Sequence, residues 1–186
     1  MGRETPEYAL WFDLESTGLG EEDLILEVAA VLTRVTPGFE ELGSFETPVA
    51  SPGLSRSFEL SAFARDAHTR NGLLAEIAAG RGMALGDAEK AVLAMVDGWT
   101  KDRVVMAGSG VGHFDHPFIA TRMPELHRRL VYFDLDVGPV RRFARIAGME
   151  IAEEDHPHRA MGCLREALDQ GRTFNRVLLA GASAAR

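Results

Sequence analysis

Tyr8-Ala-Leu-Trp-Phe-Asp-Leu-Glu-Ser-Thr-Gly-Leu19 opens on an almost unbroken apolar run and closes on two acids, Asp13 and Glu15. Tyr8 to Phe12 has the composition of a central strand buried on both faces. Side chains two apart on a strand leave the same face, so both carboxylates point into one small volume. Like charges that close repel, and unpaired ions held out of water are costly. Cations between them explain the pair most simply, and hard divalent ions such as Mg²⁺ or Mn²⁺ suit carboxylate oxygens. The plainer reading is a strand end running into a solvated turn, since Ser16-Thr17-Gly18 is turn-like.

Around that stretch the pattern is α/β. A second strand is expected over about Ile25 to Val35 and a third over about Phe39 to Val49, joined by a Thr36-Pro37-Gly38 turn. Ala88, Ala91, Val92, Met95, Val96 and Trp99 make a helical stripe after Asp87, a candidate N-cap. Arg103–Ala107 reads as a short buried strand, followed by a helix from about Phe114 to Arg122. Val131–Phe133 reads as an edge or parallel strand. Asp136 is placed to cap a helix bearing Val137, Val140, Ala144 and Ala147. A last helix carries Ala160, Cys163, Leu164, Ala167 and Leu168, with Gly171 as its stop. Strands first, then helices alternating with strands, predict a three-layer fold with a mixed five-stranded sheet flanked by helices.

The 186 residues suit a single domain 1–186, with a core over about 7–171 and a C-terminal helix and tail over 172–186. No stretch approaches the ~20 apolar residues of a membrane span, and Met1 to Pro6 lacks the apolar core of a secretion signal. One cysteine suits a reducing cytoplasm. The net charge of −8 argues against wrapping long nucleic acid; a nucleic-acid enzyme with this balance is expected to grip only a few nucleotides.

Gly108-Ser-Gly-Val-Gly-His-Phe-Asp-His-Pro-Phe-Ile119 supplies a second acid, Asp115, after a glycine-rich turn at a helix start. There it is a site residue or simply a favourable first-turn acid. His158 stands just ahead of the last helix, where a histidine can reach into a cleft and act as a general base. His113, His116, His127 and His156 read as surface or supporting residues.

Five segments in order resemble the histidine branch of the DEDD superfamily of 3′-to-5′ exonucleases, and within it most closely the oligoribonuclease family. They are Trp11–Leu19, His68-Thr-Arg-Asn-Gly-Leu73, Phe114–Leu126, Leu135-Asp-Val137, and His158-Arg-Ala160 with Arg165-Glu166. The resemblance covers about positions 8 to 170. It implies a ribonuclease H-like fold and hydrolysis of short RNA, with DNA ends also open, to nucleoside 5′-monophosphates. It implies two divalent ions (Mg²⁺ or Mn²⁺) held by Asp13, Glu15 and Asp115, with His158 as general base. It further implies that Leu19 wedges beneath a terminal base and that His68 and Thr17 contact substrate. Phe63 either stacks on a base or belongs to the core. Members of the family are often homodimers, an expectation no other sequence signal here supports.

The chain departs from the family where a last acid follows the histidine by five positions, which here is Cys163. A thiol is a poor ligand for Mg²⁺. Cys163 also reads as a small buried residue on an apolar helix face. Glu166 or Asp155 are candidate substitutes, as is a site running on fewer ligands. At the positions where the family caps a 5′ phosphate stand Phe133 and Gly138, with Ser109 the candidate for a displaced serine, so strict dinucleotide preference is not expected. Two classes stay open: a working exonuclease, and an impaired relative that binds nucleic-acid ends or a protein partner.

Overall fold

A computed structural model of the chain describes residues 6–20, 22–50, 60–151 and 158–184. Five strands form one mixed sheet: β1 (Tyr8–Ser16), β2 (Ile25–Arg34), β3 (Glu41–Pro48), β4 (Val104–Gly108) and β5 (Leu130–Asp136), in the order β3-β2-β1-β4-β5. β1 is central, antiparallel to β2 and parallel to β4. The described helices are α1 (Ala62–Arg70), α2 (Leu73–Ala78), α3 (Leu85–Asp97), α4 (Asp115–Arg122), α5 (Pro124–His127), α6 (Val137–Ile146) and α7 (Ala160–Ala184). None is long and apolar enough to cross a membrane.

The two-residue period of β1 sorts its side chains between two cores. Leu10, Phe12 and Leu14 face one cluster with Val92 and Val96 of α3 and Ile119 of α4. Ala9 and Trp11 face the other, with Leu164, Ala167 and Leu168 of α7. Asp13 and Glu15 continue that second row, so their face is the α7 face.

Several boundaries differ from expectation for identifiable reasons. The Thr36 carbonyl accepts from the Phe39 N–H at 3.0 Å, which makes the expected turn. Phe39, however, adopts φ +45° and leaves the strand to pack edge-on against Trp11, so β3 starts at Glu41. α3 starts at Leu85 rather than after an Asp87 cap; Asp87 sits in its first turn, paired with Lys90. Trp99 lies past its end and is 45% exposed. On α6, Val140 is 41% exposed rather than buried with Ala144.

The expected break at Gly171, and with it a boundary between 171 and 172, is absent. α7 is one 25-residue helix. A Cβ at Gly171 would stand 2.5 Å from Trp11 Cη2, so this glycine answers to close packing on the sheet, not to helix termination. The indole is fixed there by its Nε1–H donating to Thr33 Oγ1 at 3.1 Å.

Candidate active site

The β1–β4 ladder ends at Trp11 opposite Ala107, leaving later N–H groups of β1 on that side without a strand partner. Asp115 Oδ1 takes one of them, accepting from the Leu14 N–H at 2.9 Å. The chain reaches Asp115 through a tight approach: a Cβ at Gly108 would lie 2.8 Å from the Phe12 carbonyl oxygen. Asp115 therefore opens α4 but turns its carboxylate onto β1, and is only 2% exposed. Asp136 does act as the expected cap of α6. Its Oδ1 accepts from the Gly138 N–H and from the Gly110 N–H, both at 2.9 Å.

Burial is the first cause of upward pKa shifts through this cluster. The Asp13 carboxyl is held well above the usual range by burial, then by the charges of Asp115, Glu15 and Glu27. Glu15 is raised to about 8 by burial, Glu27 and Asp115, with Arg159 opposing. Asp115 is raised mainly by burial, against the hydrogen bonds it accepts. These are groups short of positive charge.

Cys163 does not sit in apolar packing. One ligand atom each from Asp13, Glu15 and Cys163 lies within 4.8 Å of the others, the one group of three such side chains among the described residues. The thiol donates to Glu15 Oε1 at a long 4.0 Å. Burial, with Asp13 and Glu15 beside it, pushes its pKa up, so the sulfur stays protonated. Glu166 lies outside that group and accepts from Gln170 at 2.9 Å. Asp155 and His156 fall outside the described residues.

His68 reaches the cluster from α1. It is 2% exposed, with Nε2 at 3.2 Å from the Ser16 carbonyl oxygen and 3.6 Å from Glu15 Oε2. Burial lowers its pKa, favouring neutral imidazole. His158 is exposed, its ring 5.7 Å from that of Phe63 in an edge contact, and its carbonyl accepts from Asn71 Nδ2 at 2.6 Å. Phe63 is 69% exposed, which removes the core reading. Leu19 stands out in solvent at 85% exposure. Thr17 is fully buried; its hydroxyl donates to Asp23 and accepts from the Leu24 N–H, shaping the turn beneath Leu19. Ser109 Oγ faces Arg141 of α6 at 3.5 Å. His116 Nδ1 lies 3.1 Å from Asp134, a supporting contact.

Glu27 and Arg159 were not singled out by sequence. Glu27 lies directly across from Glu15 in the β1–β2 register, where like charges are unfavourable. Arg159 resolves this, donating Nε at 2.9 Å and Nη2 at 2.5 Å to Glu27 Oε1, while Glu27 Oε2 takes the Ala160 N–H that starts α7. Its other contacts reach Glu76 of α2. The available signal was one acid inside the otherwise apolar run Ile25–Leu32, which demands a buried cation.

No family model matches the chain. An oligoribonuclease of Streptomyces avermitilis is 33% identical over 176 residues, spanning 91% of this chain and 86% of its own. The chain belongs to the oligoribonuclease family. An oligoribonuclease of Tropheryma whipplei aligns over 95% of this chain and 96% of its own at 28% identity. Among solved structures, E. coli exonuclease I with a 5cy-dT13 oligonucleotide matches at TM-score 0.65 and 15% identity over 89% of the chain. The zinc-bound form of its single-stranded DNA complex matches at TM-score 0.68 and 14% identity. The oligoribonuclease-family chain spans about 40% of the length of those exonuclease I chains, and at such identity the likeness concerns the fold, which is ribonuclease H-like.

Proposed function

We propose that this protein is a metal-dependent 3′-to-5′ exonuclease that shortens oligonucleotides, with short RNA as its substrate class. The observation that carries the reading is the convergence of Asp13, Glu15 and Cys163 from β1 and α7, with Asp115 against β1 beside them. Buried carboxylates with raised proton affinity fit divalent cations, which supply the charge the cluster lacks. Asp13, Glu15 and Asp115 would hold them. When bound, such ions activate water and balance charge on the leaving oxygen.

The chain's own residues do the rest. His158 takes the proton from the attacking water. The new P–O bond forms at the last phosphodiester as the bond to the preceding 3′ oxygen breaks, releasing a nucleoside 5′-monophosphate. Leu19 and Phe63, both apolar and exposed, would meet terminal bases. Neutral His68 steadies the Ser16 carbonyl beside Glu15. Cys163 offers a neutral sulfur where the family has an acid, which favours Mn²⁺ over Mg²⁺. That same substitution supports a second reading, an impaired module that binds nucleic-acid ends.

Incubation of 5′-labelled short RNA with Mg²⁺ or Mn²⁺ separates the two readings, since each monophosphate lost shortens the labelled strand by one. Stepwise release of monophosphates is expected; intact RNA retained in a stable complex supports the binder. His158→Ala is expected to lower kcat about 10²- to 10⁴-fold with the melting temperature unchanged. An unchanged rate removes His158 as the base.

A further inference from the structure

His158 is exposed, yet the backbone that carries it is tied at its own carbonyl and again at the next residue. Asn71, the C-cap of α1, donates from Nδ2 to the His158 carbonyl oxygen at 2.6 Å across 87 positions of sequence. The amide's orientation is fixed from its other end, because Asn71 Oδ1 accepts from the Leu73 N–H at 3.0 Å. The next residue along, Arg159, grips Glu27 of β2 and Glu76 of α2. Asn71 Nδ2 also lies 3.5 Å from Nδ1 of His68, whose Nε2 is 3.6 Å from Glu15. One amide thus joins the His158 backbone to the imidazole that touches the acidic cluster.

We infer that Asn71 is a positioning residue for His158, acting with the Arg159–Glu27 pair to fix where that imidazole stands relative to Asp13 and Glu15. A proton acceptor displaced by a fraction of an ångström loses rate without losing substrate affinity. The Phe63 ring limits the imidazole from one side, but a ring edge sets no register along the chain; the amide–carbonyl bond does. A purely structural role, closing the turn between α1 and α2, is already met by the Oδ1 bond to Leu73. The donor side of the amide makes its short bond to the His158 carbonyl and its longer contact to His68.

The inference rests on His158 being the base, and a double-mutant cycle keeps the two claims apart. Asn71→Ala, His158→Ala and the double variant are assayed on short RNA with Mn²⁺, with melting curves for each. Asn71→Ala is expected to lower kcat roughly tenfold to a hundredfold at nearly unchanged KM. In the His158→Ala background it is expected to cost nothing further. Should Asn71→Ala unfold, Asn71→Asp keeps the acceptor for Leu73 and turns the donor into a carboxylate oxygen that repels the His158 carbonyl, with at least the same loss expected. A full-rate Asn71→Ala beside a crippled His158→Ala overturns the inference alone, as does an independent, multiplicative loss in the double variant. A full-rate His158→Ala overturns the base assignment and the inference together.

Discussion

Cys163 places a protonated thiol where its neighbours Asp13 and Glu15 would welcome positive charge, so restoring an acid tests the site directly. An outer-sphere partner of a metal ligand is commonly worth about 10–100-fold in affinity or activity. Cys163→Asp, adding an inner oxygen donor, is expected to raise Mg²⁺-supported kcat at least roughly tenfold, measured on short RNA. No gain would overturn the alignment of the last motif on Cys163 or mean that another group already serves as the ligand. The carboxylates also set a pH dependence in the metal-free protein. Glu15 moves from 4.5 to about 8, so the folded state holds a proton that the unfolded chain releases. That stability is complete below about pH 4.5 and is lost as pH rises toward 8. The metal-free melting temperature is therefore expected to fall across that window and to be restored by Mn²⁺ in calorimetry. A melting temperature that rises with pH there would contradict the burial of Glu15. Asp13 and Glu15 were legible because a two-residue period in an apolar strand places both on one face. Glu27 and Arg159 were not, since their pairing depends on β2 and the start of α7 meeting across 132 positions. Phe63 was ambiguous because an aromatic residue in a helix suits core and surface alike.

Helix α7 shows where local rules misled. Glycine stops helices when nothing else constrains it, but Gly171 lies against Trp11, and tertiary packing keeps the helix going. Gly171→Ala gains about 1 kcal/mol of helix propensity and incurs about 1–3 kcal/mol of overpacking. The indole, held by Thr33 and Phe39, has little room to yield. A net lower melting temperature is expected in thermal unfolding, and a stabilised variant would show that the ring moves freely. The strands were largely readable from apolar runs and turn chemistry. α3 was found with the wrong cap, because an acid two residues inside a helix start resembles one just before it. Asp115 opens α4, as its first-turn reading has it, yet its carboxylate serves β1.

The assembled chain carries a net charge of −8 and exposes large apolar side chains on β5 and on α6. β5 ends the sheet and exposes Tyr132 at 69%, while α6 exposes Phe143 at 74% and Ile146 at 84%, one turn apart. The homodimer proposed on the family resemblance would cover side chains such as Phe143 and Ile146. Sedimentation is expected to give a dimer for the native protein and a monomer for Phe143→Glu with Ile146→Glu; a native monomer at tens of micromolar would remove the proposal. The bond from the Leu14 amide to Asp115 has a different consequence. A backbone proton resting on a carboxylate is magnetically sensitive to that group's charge. One isotope-labelled leucine signal thus becomes an internal gauge of site occupancy, readable in solution without substrate, turnover or dye.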